Sequence, residues 1–310
     1  MARTAFITHP DTLLHVMDGQ HPESPARITA IRNAIAKSDI RDKLDYYEAP
    51  AASQEQLKRV HSPAYVDYIF KVAPKAGIVR LDGDTAMGPM SLSAALHASG
   101  AAVLATDLVM QGKMRTVFNC VRPPGHHAGH ANSAGFCIFN NVAVGVAHAI
   151  AQYGLKRIAI IDFDVHHGDG TEDIFKANPQ VMLCSTFQHP FYPYRGADTR
   201  SDRMINVPLA ARSSGKAMRK AFIEDFETAI DSFKPELFFI SAGFDAHAQD
   251  PLADLALESD DYRWMTEMIC AWSTKYQSHG VISSLEGGYH LSSLAESALI
   301  HMTTLTRFNA

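Results

Sequence analysis

The segment RIAIIDFDVHHGDG, Arg157 to Gly170, decides how the rest of the chain is read. Its first half is an unbroken apolar run, as expected of a strand buried on both faces. Its second half crowds Asp162, Asp164, His166, His167 and Asp169 together. Reactive residues thus follow a buried strand directly, and in an open α/β sheet that is the edge where ligands bind. In an extended segment Asp164 and His166 point to the same side, which suits two ligands of one divalent metal. Gly168 and Gly170 permit a tight turn after them. The competing reading is a helix N-cap by Asp169, but capping uses one acidic residue and this segment has three.

Working outward, further strands are expected over Arg3 to Thr8, Thr116 to Val121, Val181 to Phe187, Leu237 to Ser241 and Val281 to Leu285, with the first strand running from Arg157 to Asp164. Helical periodicity covers Pro25 to Lys37, Ser91 to Met110, Asn140 to Tyr153, Lys216 to Phe233, Asp260 to Gln277 and Ser293 to Leu305. Ser53-x-x-Gln56 and Ser293-x-x-Glu296 read as capping boxes. This alternation predicts an α/β fold, a single mostly parallel sheet with helices on both faces, in one domain over residues 1–310. Phe187 to Arg212, rich in Pro, Gly and charge, reads as the longest loop.

Composition narrows the function. The 310 residues are 46% hydrophobic and 20% charged, with a formal charge of −5 and no basic run, which speaks against nucleic acid as a partner. The N-terminus lacks a long apolar stretch, and nowhere do about 18 apolar residues run together, so no membrane partner and a cytoplasmic location are expected. Cys120, Cys137, Cys184 and Cys270 include no C-x-x-C pair and read mostly as buried thiols. The 16 histidines are the unusual count, and many stand beside Asp, Gly or Pro.

Three more strand ends carry reactive residues. Phe244-Asp245 follows LFFISAG, and Asp245 could close an Asp/His/Asp site that leaves a position for water, as catalytic zinc requires. The oxygen and nitrogen donors also suit iron. VRPPGHHAGHA places His126 and His127 after Thr116 to Val121, where Asp162 and Asp169 are natural partners to fix their tautomers. LEGGYHL follows Val281 to Leu285 and leaves Tyr289 to project, able to donate a hydrogen bond to a developing oxyanion. A surface histidine pair and a packed aromatic are the plainer alternatives for these last two.

RPPGHHA, DFDVHHGDG, SAGFDAH and LEGGY, in this order over residues 122 to 289, resemble the histone deacetylase family. HPESPAR, His21 to Arg27, is similar to the opening of its class II-like bacterial members. The resemblance implies the arginase–deacetylase fold. It implies Asp164, His166 and Asp245 as ligands of Zn2+, with Fe2+ as the other candidate. It gives His127 the role of general base and then acid, partnered by Asp169, and His126 an electrostatic role, partnered by Asp162. Tyr289 would polarise the amide carbonyl. Gly135 and Phe136 resemble one wall of an acyl channel, and Tyr192 stands where the opposite wall usually has Phe. A structural K+ is implied near Asp162, Asp164, His166 and Ser185.

Arginases share the fold but hold two manganese ions, and Gly168 and His247 stand here where extra Asp ligands would be expected. Polyamine-specific relatives often carry an acidic gatekeeper where Leu252 appears, which favours acyl-lysine. The expected activity is therefore metal-dependent hydrolysis of an acylated amine, an acyl-lysine peptide or protein. The alternatives are an acetylpolyamine or other small-molecule amidohydrolase, and a non-catalytic acyl-ligand binding module. A homo-oligomer is compatible with the sequence.

Overall fold

The computed structural model describes residues 3–17 and 19–309; residues 1, 2, 18 and 310 of the expected domain lie outside it. The strands are β1 (Thr4–Thr8), β2 (Leu44–Glu48), β3 (Val79–Arg80), β4 (Ala86–Met87), β5 (Thr116–Asn119), β6 (Ile158–Asp162), β7 (Val181–Gln188), β8 (Met204–Leu209), β9 (Leu237–Ala242) and β10 (Val281–Leu285). β3 and β4 make a small antiparallel pair. The other eight form one sheet in the order β2-β1-β5-β10-β9-β6-β7-β8, every neighbouring pair parallel.

A parallel sheet must be covered on both faces. The period of two along β6 meets that need: Ile158 and Ile160 enter one core, Ala159 and Ile161 the other. The second of these cores is closed by α1 (Ala26–Ala36), α7 (Gly215–Ala221), α8 (Glu227–Phe233), α9 (Ser259–Lys275) and α10 (Leu291–Phe308). The first is closed by α2 (Gln54–Leu57), α3 (Pro63–Val72), α4 (Ser91–Met110), α5 (Asn141–Tyr153) and α6 (Asp169–Phe175). Asn140 starts α5 by accepting Ala143 N–H at 3.0 Å, and Gly154 ends it in the left-handed region. Among the described residues one helix, α4, is long and apolar enough for a bilayer, and 67% of its apolar window is buried in the protein. All four cysteines are free and buried.

Several expectations need correction. The strand from Arg157 stops at Asp162, so Asp164 and His166 lie on a bend. The presumed loop from Phe187 to Arg212 contains β8, an edge strand, and β2 at the other edge was not expected. In β2 (LDYYE) polar residues on the open edge hide the pattern, and in β8 (MINVPL) the signal is short, carries Pro208 and is surrounded by Pro, Gly and charge. The helix over Lys216 to Phe233 is interrupted by a π turn at Phe222–Phe226, which keeps both of these phenylalanines buried with ring centroids 4.9 Å apart. The Ser53–Gln56 capping box forms. The one at Ser293 does not, because the His290 ring caps α10 three residues earlier than expected and accepts Ser293 N–H.

Strand order places the site. β5, β10, β9 and β6 are consecutive, so the segments after them, distant in sequence, share one edge of the sheet.

Candidate metal centre and active site

After β6 the chain bends because Asp164 Oδ1 accepts His166 N–H at 2.9 Å, closing an Asx turn. The turn, rather than strand alternation, folds the His166 ring back onto Asp164. His166 Nδ1 lies 3.1 Å from Asp164 Oδ1 and 3.2 Å from Asp245 Oδ2. One nitrogen carries at most one proton, and Asp245 Oδ2 is left buried without a hydrogen bond, while Oδ1 accepts Val165 N–H at 2.9 Å. Gly287 N–H donates to Asp164 Oδ2 at 2.8 Å, and any side chain at 287 would overlap Asp245 Oδ2.

Asp164, His166 and Asp245 thus form a cluster that could hold a metal ion. Zinc–ligand bonds of about 2.0–2.1 Å at tetrahedral angles separate neighbouring ligand atoms by about 3.3 Å, close to the spacings here. The electrostatics agree. Burial alone would lower the His166 pKa, but the hydrogen bond with Asp164 and the negative charge of Asp245 and Asp164 override it and push it to about 10. Asp245 is pushed up to about 7 by burial and by the Asp164 charge. Positive charge, as a proton or a cation, is what these three groups attract.

His126 and His127 are both buried in the segment after β5. His126 Nδ1 lies 3.0 Å from Asp162 Oδ2, and its Nε2 lies 3.8 Å from the metal-cluster residue Asp164. Against the cost of burial, Asp164 and Asp162 raise its pKa well above the ordinary range. His127 Nδ1 lies 2.8 Å from Asp169 Oδ1. Burial first, then the neighbouring His126, lowers its pKa to about 4, with Asp169 pulling the other way. The capping alternative for Asp169 fails: it is the first residue of α6, Gly168 holds the cap position, and the Asp169 carboxylate turns to His127.

The expected channel walls flank these histidines. Tyr192 meets the His127 ring edge-on at 5.1 Å, and Phe191, which was not singled out, stacks on His166 at 5.5 Å. Gly135 has φ +54° and lies against His127, where a Cβ would strike the ring. Phe136 follows with φ +70° and meets Tyr289 edge-on at 6.0 Å. The segment before β4 clips this strained wall: Gly135 N–H donates to Asp84 Oδ1 and Phe136 N–H to Thr85 Oγ1, both at 3.0 Å, and Ser133 Oγ donates to Asp82 Oδ2 at 2.7 Å.

Tyr289 is held from behind. The Arg27 guanidinium lies 4.9 Å from its ring centroid and donates to the carbonyls of Gly288 and Glu286. Glu23 pairs with both Arg27 and Arg122 in the interior. Asp250 Oδ2 accepts Tyr289 N–H at 2.7 Å, and its Oδ1 accepts Leu252 N–H at 3.0 Å, so Leu252 belongs to the same rim. Ser185 stands beside Asp162 in register, with its hydroxyl 3.0 Å from His167 Nδ1. His247 is turned toward Ser259, away from the cluster. Glu23, Arg27, Asp250, Phe191 and the Asp82–Thr85 clip had no assigned role in the sequence, because each acts through a partner far along the chain.

A second group, His9, Asp11 and His97, also brings three donors together. Its two rings stack with centroids 3.4 Å apart and planes 6° from parallel. Lone pairs lie in the ring planes, so these run side by side instead of converging. His9 Nδ1 already accepts Asp11 N–H, and the imidazole–carboxylate spacings within the group are 3.9 Å.

Comparison with known proteins agrees with this geometry. The histone deacetylase domain matches residues 21–305. The histone deacetylase-like amidohydrolase of Pseudomonas aeruginosa is 36% identical over 276 residues, covering 87% of this chain and 72% of its own. A "probable deacetylase" of Archaeoglobus fulgidus is 33% identical, covering 92% and 81%. The polyamine deacetylase HDAC10 of Homo sapiens is 33% identical over 97% of this chain and 48% of its own. The crystal structure of the HDA15 HD domain superposes with a TM-score of 0.91 at 31% identity, covering 99% of this chain and 88% of that one.

Proposed function

The chain belongs to the histone deacetylase family, whose members hydrolyse amide bonds, and from that premise we propose that it is a zinc-dependent deacylase of acylated amines, acyl-lysine in peptides first. The observation that carries this reading is the meeting of the Asp164–His166–Asp245 cluster with a neutral, oriented His127, the His127 and His166 ring centroids being 5.9 Å apart. A divalent cation in the cluster would supply an acidified water and a polarised carbonyl.

The chain's own groups do the rest. His127, its Nδ1 side fixed by Asp169, takes the proton of the attacking water at Nε2 and later delivers it to the leaving amine nitrogen. His126, its charge favoured by Asp162 and Asp164, adds positive potential where negative charge develops. The Tyr289 hydroxyl donates to the oxyanion as it forms, from a backbone anchored by Asp250 and a ring backed by Arg27. Phe136 and Tyr192 line the acyl chain's approach, and Leu252 leaves that part of the rim uncharged. Zinc is the proposed ion, and iron is also compatible with the oxygen and nitrogen donors. A structural K+ beside Asp162 and Ser185 is supported by the Ser241 hydroxyl, in register with Asp162 and buried without a partner. Four unpaired buried cysteines suit a reducing, cytoplasm-like compartment.

The test is a panel of acyl-lysine peptides and acetylated polyamines, run with zinc, iron or cobalt restored to metal-free protein. Preferred hydrolysis of acyl-lysine with zinc is expected. Preference for polyamines would move the substrate to the small-molecule class, and no amide hydrolysis with any metal would sink the proposal.

A further inference from the structure

We propose that Glu286 is the positioning residue for the His126–His127 segment. Its effect on turnover rests on the deacylase reading above; its structural effect does not. Glu286 follows β10, which lies between β5 and β9, and its side chain is fully buried. Its Oε2 accepts Gly125 N–H at 2.6 Å and His126 N–H at 3.2 Å. Among the described residues these two amides have no other partner. Two successive backbone donors closing on one carboxylate oxygen form an anion-binding nest, here filled by the protein itself.

The post that carries this oxygen is rigid. Glu286 N–H donates to Ala242 O at 3.0 Å, its carbonyl accepts from Arg27, and the next amide, Gly287, donates to Asp164. One short stretch of backbone therefore fixes a metal-cluster carboxylate on one side and the paired histidines on the other. Glu286 Oε1 is buried without a partner, and burial pushes the carboxyl up to about 7. A buried carboxyl that is half satisfied is a poor choice for packing alone. Its placement makes sense as an acceptor that sets where the His126–His127 backbone lies. Because the need is for an acceptor and not for charge, a glutamine amide oxygen can take the same two N–H groups.

The experiment uses the full chain, zinc-loaded, as wild type, Glu286→Gln and Glu286→Leu. Hydrogen exchange over residues 125–127 should quicken by more than about tenfold in the Leu variant and stay near wild type in the Gln variant. On the substrate found active, the Leu variant should lose about tenfold to a hundredfold in kcat with KM within about threefold, as expected of a misplaced proton-transfer group. Glu286→Gln should restore both. If the Leu variant does not fold, Glu286→Asp, too short to span both amides, replaces it with the same direction expected. Unchanged exchange in the Leu or Asp variant, or Gln damaged as badly as Leu, overturns the proposal. If wild type hydrolyses no amide yet exchange rises as described, the deacylase reading fails and the positioning role stands.

Discussion

Among the described residues, two regions gather histidine and aspartate within ligand distance, and they differ in kind. Around His166 the donors converge: one Nδ1 lies just over 3 Å from two buried carboxylates, and an Asp245 oxygen is left without a partner. Around His9 and His97 the rings lie flat against each other, and the donors are already engaged with Asp11 N–H, Glu48 and Ala49 O. Residue types and proximity are similar. The direction of the lone pairs and the number of unmet donors separate a centre from a packed surface pair.

Breaking that comparison with mutations should give its largest effect at the ligands. Asp164→Ala or His166→Ala is expected to reduce bound zinc from about one per chain to near zero and activity by more than about 10³-fold, whereas His97→Ala leaves both unchanged. Metal analysis of the purified variants decides it; loss of zinc in His97→Ala would overturn the distinction. Next comes Tyr289→Phe, which should cost about 10² to 10³ in kcat while zinc stays bound, as removal of an oxyanion donor does. Unchanged turnover would remove the phenol from the mechanism.

The third effect sharpens the contrast between histidines that serve a site and those that serve the fold. His61 is fully buried, its Nδ1 2.8 Å from Gly129 O and its Nε2 accepting Asn140 N–H at 3.0 Å, so both nitrogens are used by the neutral ring. Burial pushes its pKa down from 6.5 to about 4, and that of His301 to about 3. The unfolded chain binds these protons first. Stability is therefore present above pH 6.5 and is lost as pH falls toward 4, by about 2 kcal/mol per histidine between pH 6.5 and 5. The loss of Tm of the metal-free protein over that interval should be smaller in His61→Gln and in His301→Gln than in wild type; an equal loss would contradict the assignment. The smallest effect belongs to the wall: Thr85→Val leaves Phe136 N–H without its acceptor and should raise KM by about threefold to tenfold with kcat little changed. Steady-state kinetics with long and short acyl groups measures it.

Much of the site was legible in the sequence because its residues sit immediately after strands that betray themselves by unbroken apolar runs. Asp162, Asp164, His166 and Asp169 come from one such segment, and His127, Asp245 and Tyr289 from three others. Even there the local conformation was misjudged at Asp164, where a side chain–backbone bond bends the chain that alternation had kept straight. β2 escaped because polar residues break up LDYYE, β8 because the short MINVPL carries Pro208 and lies in a stretch rich in Pro, Gly and charge, and α6 because seven residues hold too little periodicity. Glu286, Asp250 and Asp84 look like ordinary acidic residues until their partners are known.

What the sequence determined by itself is which reactive side chains lie at the carboxyl ends of which strands, since that depends only on covalent neighbours and a period of two. The tertiary structure alone decided that β5, β10, β9 and β6 stand side by side, that Glu286 reaches Gly125, and that His9 and His97 face each other flat. Those outcomes depend on the lateral order of strands and on the angles at which rings pack, which arise from contacts between residues more than a hundred positions apart in several cases.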